Sequence, residues 1–142
     1  MSESGPPTVR DLMSTEVVSI SADAAFQDAA IVLERHRISG LPVVDNAGAL
    51  VGVLSNTDLV RSRATEHLWQ RWPGLAVRHL MTSPAITIHD TASVEEAAAL
   101  MERHRIHRVV VVSADDETHP LGVLSTTDLV RTIARGISDG TT

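Results

Sequence analysis

Apolar residues fall along this chain in two patterns. In one, apolar positions follow each other directly, as in Leu41-Pro42-Val43-Val44 and Val109-Val110-Val111-Val112. Such a run is too short for a helix and has no polar face, so each predicts a strand covered on both sides. The β-rich runs Val17-Val18-Ser19-Ile20 and Ala85-Ile86-Thr87-Ile88 predict further strands, and Gly52-Val53-Leu54 and Gly122-Val123-Leu124 read as the ends of buried ones. In the other pattern the spacing is helical. Val94, Ala97, Ala98, Leu100 and Met101 form the apolar face of a helix predicted from Val94 to about Arg105, and Ser93 with Glu96 makes its capping box. The earlier counterpart has Ala25 and Asp28 at those places, which predicts a weaker start. Gly136 is the expected stop of the last helix.

The elements come in duplicate. Val9-Arg10-Asp11-Leu12-Met13 matches Val77-Arg78-His79-Leu80-Met81, and Glu34-Arg35-His36-Arg37-Ile38 returns unchanged as Glu102-Arg103-His104-Arg105-Ile106. Gly52-Val53-Leu54-Ser55-Asn56-Thr57-Asp58-Leu59-Val60-Arg61 returns with one change, Thr126 for Asn56, as the string from Gly122 to Arg131. The compact turn Asp45-Asn46-Ala47-Gly48 is replaced in the second copy by the longer, more acidic stretch from Ala114 to Pro120. The chain therefore divides into a tail (1–7), a first repeat (8–62), a linker (63–75), a second repeat (76–136) and a C-terminal tail (137–142). Each repeat reads strand, helix, strand, turn, strand, helix, an α/β unit. A unit of about 55 residues is small for a core of its own, so the copies are expected to pack together. The linker holds Trp69 and Trp72, three apart, before Pro73-Gly74. They either pack back on their own chain or form a subunit contact, where Trp is favoured.

Composition narrows the classes. The 142 residues are 43% hydrophobic and 2% aromatic, which describes an aliphatic globular chain. A formal net charge of −6 argues against a nucleic-acid surface. Without cysteine there are no disulfides, thiolate nucleophiles or Cys-ligated metals. No apolar run reaches membrane length, and the polar N-terminus lacks a signal-peptide pattern, so no membrane association is expected and the cytoplasm is the expected location. His104 and His107 have no carboxylate at a fixed spacing to complete a metal set. His36 and His104 suit helix C-termini, where a cation is favoured. Asp58 and Asp128 lack a partner for acid–base work, and no serine carries a nucleophile motif, so an enzyme is not expected.

The duplicated string is the candidate for chemistry. A strand passing to a helix through Ser-x-Thr-Asp offers backbone N–H groups and a helix N-terminus to an anion, with a carboxylate suited to sugar hydroxyls. That combination points to a nucleotide. Ser, Thr and Asp are equally the preferred helix caps, and duplication copies a cap as readily as a site.

With His36-Arg37-Ile38-Ser39-Gly40-Leu41-Pro42-Val43-Val44-Asp45 and the doubled Gly-Val-Leu-Ser-x-Thr-Asp string, the chain resembles a pair of CBS domains, a Bateman module, over roughly residues 8 to 135. The resemblance weighs toward binding. It implies two tandem β-α-β-β-α repeats packed about a pseudo-twofold axis, with clefts between them for adenosine-containing ligands such as AMP, ADP or ATP. In the family the Asp holds the ribose hydroxyls, the Ser and Thr reach the phosphates, and the adenine lies against the other repeat. Carried over, one cleft combines Ser55, Thr57 and Asp58 with Met81, Ile86, Ile106, His107 and Arg108. The other combines Ser125, Thr127 and Asp128 with Met13, Val18, Ile38, Ser39 and Gly40. His107-Arg108 resembles a pair that meets phosphates in nucleotide-sensing members, where the first repeat has the uncharged Ser39-Gly40. Val110 stands where the first repeat has Pro42, a departure from the usual family pattern. The resemblance further implies a regulatory, free-standing module without a cofactor, a homodimer, and an output through an unidentified protein partner. The alternative is a constitutive dimerisation or scaffold protein with degenerate clefts.

Overall fold

The computed structural model describes residues 5–64 and 75–138. Trp69 and Trp72 lie outside the described residues. The elements in chain order are α1 (Val9–Leu12), β1 (Ile20–Ser21), α2 (Phe26–His36), β2 (Gly40–Val44), β3 (Leu50–Ser55) and α3 (Asn56–Ala64). A 3₁₀ turn at Val77–His79 follows, then β4 (Thr87–His89), α4 (Val94–His104), β5 (Arg108–Val112), β6 (Gly122–Ser125) and α5 (Thr126–Ser138). They form two compact units, one of residues 18–85 and one of residues 1–17 with 86–142.

Each unit holds a three-stranded sheet of the same topology, β1-β2-β3 or β4-β5-β6. The first two strands are parallel, joined through α2 or α4, and the second and third form an antiparallel hairpin. The central strands are the runs apolar at successive positions. Gly40 to Val43 in β2 and Val109 to Val112 in β5 are buried, as a strand covered on both faces requires. The first strands lie slightly downstream of the predicted runs, beginning at Ile20 and Thr87. In the β2–β3 turn the Asp45 carboxylate accepts from Ala47 N and Ala49 N at 2.9 Å, and Gly48 takes φ 83°, which a side chain would resist.

Helix ends follow from side-chain chemistry. Ser93 Oγ accepts from Glu96 N at 3.0 Å, which starts α4, whereas α2 begins at Ala25 without a side-chain cap. Both helices finish on a histidine and then turn into a left-handed residue, Arg37 (φ 53°) or Arg105 (φ 55°). Two expectations are corrected. Ala98 is exposed, because the buried stripe of α4 runs through Ala97 and Met101. Gly136 does not stop the last helix, which continues to Ser138; a glycine inside a helix costs only about 1 kcal/mol.

The units cut across the sequence repeats. Residues 8–14, which begin the first repeat, dock on the sheet of the second. Val9 N donates to Ala92 O and Arg10 N to Asp90 O, both at 2.9 Å, and Ser14 pairs with Val123 through reciprocal bonds of 2.9 and 3.0 Å. The equivalent segment of the second repeat docks on the first repeat's sheet. Val77 N donates to Ala24 O and Arg78 N to Ala22 O at 2.9 Å, while Thr82 pairs with Val53. Each docked segment, here termed a strap, completes a core. Val9 joins Ile88, Ala97, Met101, Val109, Val111 and Leu124; Val77 joins Ile20, Ala29, Leu33, Leu41, Val43 and Leu54. The dependence of one small repeat on the other is met by exchanging a segment.

Candidate functional site

β3 runs straight into α3 and β6 straight into α5, with no intervening turn. The Ser-x-Thr-Asp passage from strand to helix is therefore the first turn of the helix itself: Ser55 and Ser125 precede it, and Asp58 and Asp128 occupy its third position. Asp58 Oδ2 accepts from Ser55 N at 2.8 Å and from Ser55 Oγ at 3.0 Å, and Ser55 Oγ accepts from Asp58 N at 3.2 Å. Asp128 and Ser125 repeat this arrangement with distances of 2.8, 3.0 and 3.3 Å. These are reciprocal capping boxes, with Asp in the role usually taken by Glu. The side chain of Asp58 is 7% exposed and that of Asp128 15%. Thr57 and Thr127 are exposed in the same turn.

The second carboxylate oxygen faces an arginine one turn on, a residue sequence reasoning missed. Arg131 Nη1 donates to Asp128 Oδ1 at 3.3 Å, and Arg61 Nη1 stands 3.7 Å from Asp58 Oδ1. The signal was present, since Asp and Arg three apart on a helix are neighbours.

The residues leading into each central strand lie beside the junction of their own repeat. Gly40 is opposite Ser55 in the β2–β3 register, and Asn56 N donates to Ser39 O at 2.8 Å. Arg108 is opposite Ser125, and Thr126 N donates to His107 O at 2.8 Å. Within its own unit, each junction thus has fixed neighbours: His107 and Arg108 stand beside Ser125 and Asp128, and Ser39 and Gly40 beside Ser55 and Asp58. The reason is the hairpin: antiparallel strands joined by a short turn put the start of one beside the end of the other. Ile38 and Val18 lie in the unit of Asp58, and Ile106 and Ile86 in that of Asp128. The methionines come from the straps. Met81 sits against Gly52 and Met13 against Gly122.

The two junctions differ in charge. Burial pushes the Arg108 guanidinium below its ordinary value, and the Asp128 carboxylate pulls it back up. An arginine stays cationic under either influence. The junction of Asp128 thus has two arginines near one carboxylate, and that of Asp58 has Arg61 alone of the two, with the uncharged Ser39 and Gly40 in the places of His107 and Arg108.

The family model described as "CBS domain" matches residues 9–65 and 77–135. Among curated proteins, the chain is 37% identical over 124 residues to a homoserine O-acetyltransferase of Methanocorpusculum labreanum, covering 87% of this chain and 24% of that protein. The chain spans about a quarter or less of the length of the first curated relatives it matches. Among solved structures it is similar to CBSX2 in complex with AMP, with TM-score 0.79, 30% identity and coverage of 92% of this chain and 98% of that one. It is also similar to the CBS domain pair of protein MJ0100 in complex with 5-methylthioadenosine and S-adenosyl-L-methionine, with TM-score 0.80, 27% identity and the same coverage.

Proposed function

The chain belongs to the CBS domain family, and from that premise we propose that it is a regulatory module binding an adenosine-containing ligand at the junctions centred on Asp58 and Asp128. The observation that carries the reading is the burial of those carboxylates. The capping boxes at Thr8–Asp11 and Ser93–Glu96 are exposed, so a cap alone does not need a sequestered acid. The adenosyl complexes of the two structural neighbours support the ligand class.

In this reading the ribose hydroxyls donate to Oδ1 of the aspartate, because Oδ2 is committed to the serine. Thr57 or Thr127 and the first free N–H groups of the helix face the phosphates. Ile38 and Met81 in one unit, and Ile106 and Met13 in the other, offer apolar surface for the adenine. Arg108 and His107 direct the phosphate-bearing end toward the junction of Asp128. The ligand acts as a population shift, favouring the arrangement that fits it and so altering a surface read by a partner or by a second copy. The module performs no reaction of its own, works as a homodimer in the cytoplasm, and passes its signal to a protein partner.

A scaffold reading is favoured by one observation: the serine and aspartate already satisfy each other without a ligand. Thermal unfolding with AMP, ADP, ATP, S-adenosylmethionine, 5-methylthioadenosine, NAD and cyclic di-AMP separates the two. A ligand at a hundred times its Kd stabilises by about 2.7 kcal/mol. No shift with any of them leaves the scaffold. Light scattering that finds a monomer at tens of micromolar (about 10–100 μM, well above the Kd of a stable dimer) refutes the homodimer.

A further inference from the structure

Both copies of the string end on an arginine three residues after the aspartate, and both arginines turn back to it. Arg131 is 56% exposed and Arg61 73%, while the carboxylates they face are almost enclosed. Each pair thus joins a solvated, adjustable cation to a fixed anion. Oδ2 of each aspartate already accepts two bonds from its serine, so Oδ1 is the oxygen left for an incoming diol. That is the oxygen the arginine faces.

On the ligand reading above, we infer that Arg61 and Arg131 determine specificity by competing with the ribose for the aspartate, a competition that only an anionic ligand offsets. A neutral nucleoside must replace a charged partner of Oδ1 with hydroxyls and leave the guanidinium to water. A phosphorylated nucleoside supplies a new anion to the displaced guanidinium, whose planar fork of donors matches phosphate oxygens. The junctions therefore disfavour adenosine relative to AMP through a residue that need not touch the sugar. An exposed ion pair is worth up to about a fivefold change in affinity, which sets the size of the effect. The shorter contact, 3.3 Å against 3.7 Å, makes Arg131 the stronger competitor.

Calorimetric titration of adenosine and of AMP tests this on the full chain, on Arg61→Ala, on Arg131→Ala, on the double variant, and on Asp58→Asn/Asp128→Asn. The arginines are exposed, so their removal leaves the fold intact, and melting curves check each protein. The double arginine variant should bind adenosine up to about fivefold more tightly and AMP no more tightly, with Arg131→Ala contributing the larger part. Adenosine affinity that is unchanged or weaker overturns the inference, as does AMP affinity that rises by the same factor. A different failure marks the underlying reading. If the wild-type chain binds neither compound, or the aspartate variant binds both as well as wild type, the junctions are not adenosyl sites and the competition falls with them.

Discussion

Gly122 and Gly52 lie where the straps cross the hairpin strands, and replacing one of them measures what holds a strap down. A Cβ at Gly122 would stand 2.5 Å from Ser14 O and 2.8 Å from Met13 Sδ. The thioether can swing away, but the carbonyl belongs to the pair of bonds between Ser14 and Val123, so relief requires the strap to lift. Lifting it loses two backbone hydrogen bonds at roughly 0.5–1.5 kcal/mol each. Added strain in the fitted contact costs a further ~1 kcal/mol, at the low end for overpacking. Against this, alanine restricts the unfolded chain and returns about 0.4–1 kcal/mol. Gly122→Ala should therefore destabilise the protein by about 1–3.6 kcal/mol, the net of these terms. Urea unfolding gives the magnitude and hydrogen exchange the location: the amides of Ser14 and Val123 should lose protection, while those of β5 in the same sheet keep it. Adding Met13→Ala should not rescue the variant, because the carbonyl clash remains. A change below about 0.5 kcal/mol, the usual scatter of a neutral substitution, or rescue by Met13→Ala, refutes the account. Gly52→Ala, which faces Thr82 O at 2.7 Å, is the independent repeat of the experiment in the other unit.

Leu124 is fully buried in the core closed by Val9, so Leu124→Ala should cost ~2–5 kcal/mol in the same unfolding assay; a cost under about 0.5 would place it outside the core. Arg108→Ala should weaken AMP by about tenfold to a hundredfold, the worth of a charged hydrogen bond, and leave adenosine nearly unchanged; equal losses for the two ligands refute its phosphate role. The Asp116 carboxyl is held below its ordinary value first by the Thr118 hydroxyl, then by Thr118 N–H and His119. A depressed acid stabilises its loop above its unfolded value and loses that contribution as pH falls through the lowered one. NMR titration should show the Thr118 amide moving with the Asp116 carboxyl below the ordinary aspartate range; titration at or above that range refutes it.

What the sequence made legible were features that one segment determines for itself. Four apolar residues in a row identify a central strand, and Ser93 three before Glu96 identifies a helix start, without reference to the rest of the chain. The crossing of the straps was not legible, for a physical reason. Val9-Arg10-Asp11-Leu12-Met13 and Val77-Arg78-His79-Leu80-Met81 share four of five residues, so their own sequence does not say which sheet each one joins. The position of Arg108 was legible in principle. A hairpin with a short turn must bring the start of β5 to the end of β6, which sets Arg108 beside Ser125. Ala98 shows the opposite limit, since alanine suits a core and a surface equally and cannot report which it meets.

On the proposed ligand reading, the Ser-x-x-Asp string serves as both cap and site by dividing one carboxylate. A cap needs a single acceptor, and Oδ2 provides it. Were that its whole purpose, an exposed acid would serve, as Asp11 serves Thr8 and Glu96 serves Ser93. Burying a carboxylate as deeply as Asp58 instead opposes folding, because the charge leaves water with only part of its hydration replaced. The two bonds from Ser55 offset the cost at one oxygen, and Arg61, an exposed cation 3.7 Å away, offsets it only in part at the other. An acceptor held rigid, largely desolvated and incompletely paired binds an incoming hydroxyl more strongly than one in water does. The short aspartate side chain, tied back to its own cap, keeps that oxygen in place before any ligand arrives. On the proposed ligand reading, the cap is thus the positioning device of the site, and its duplication in both units copies the two roles together.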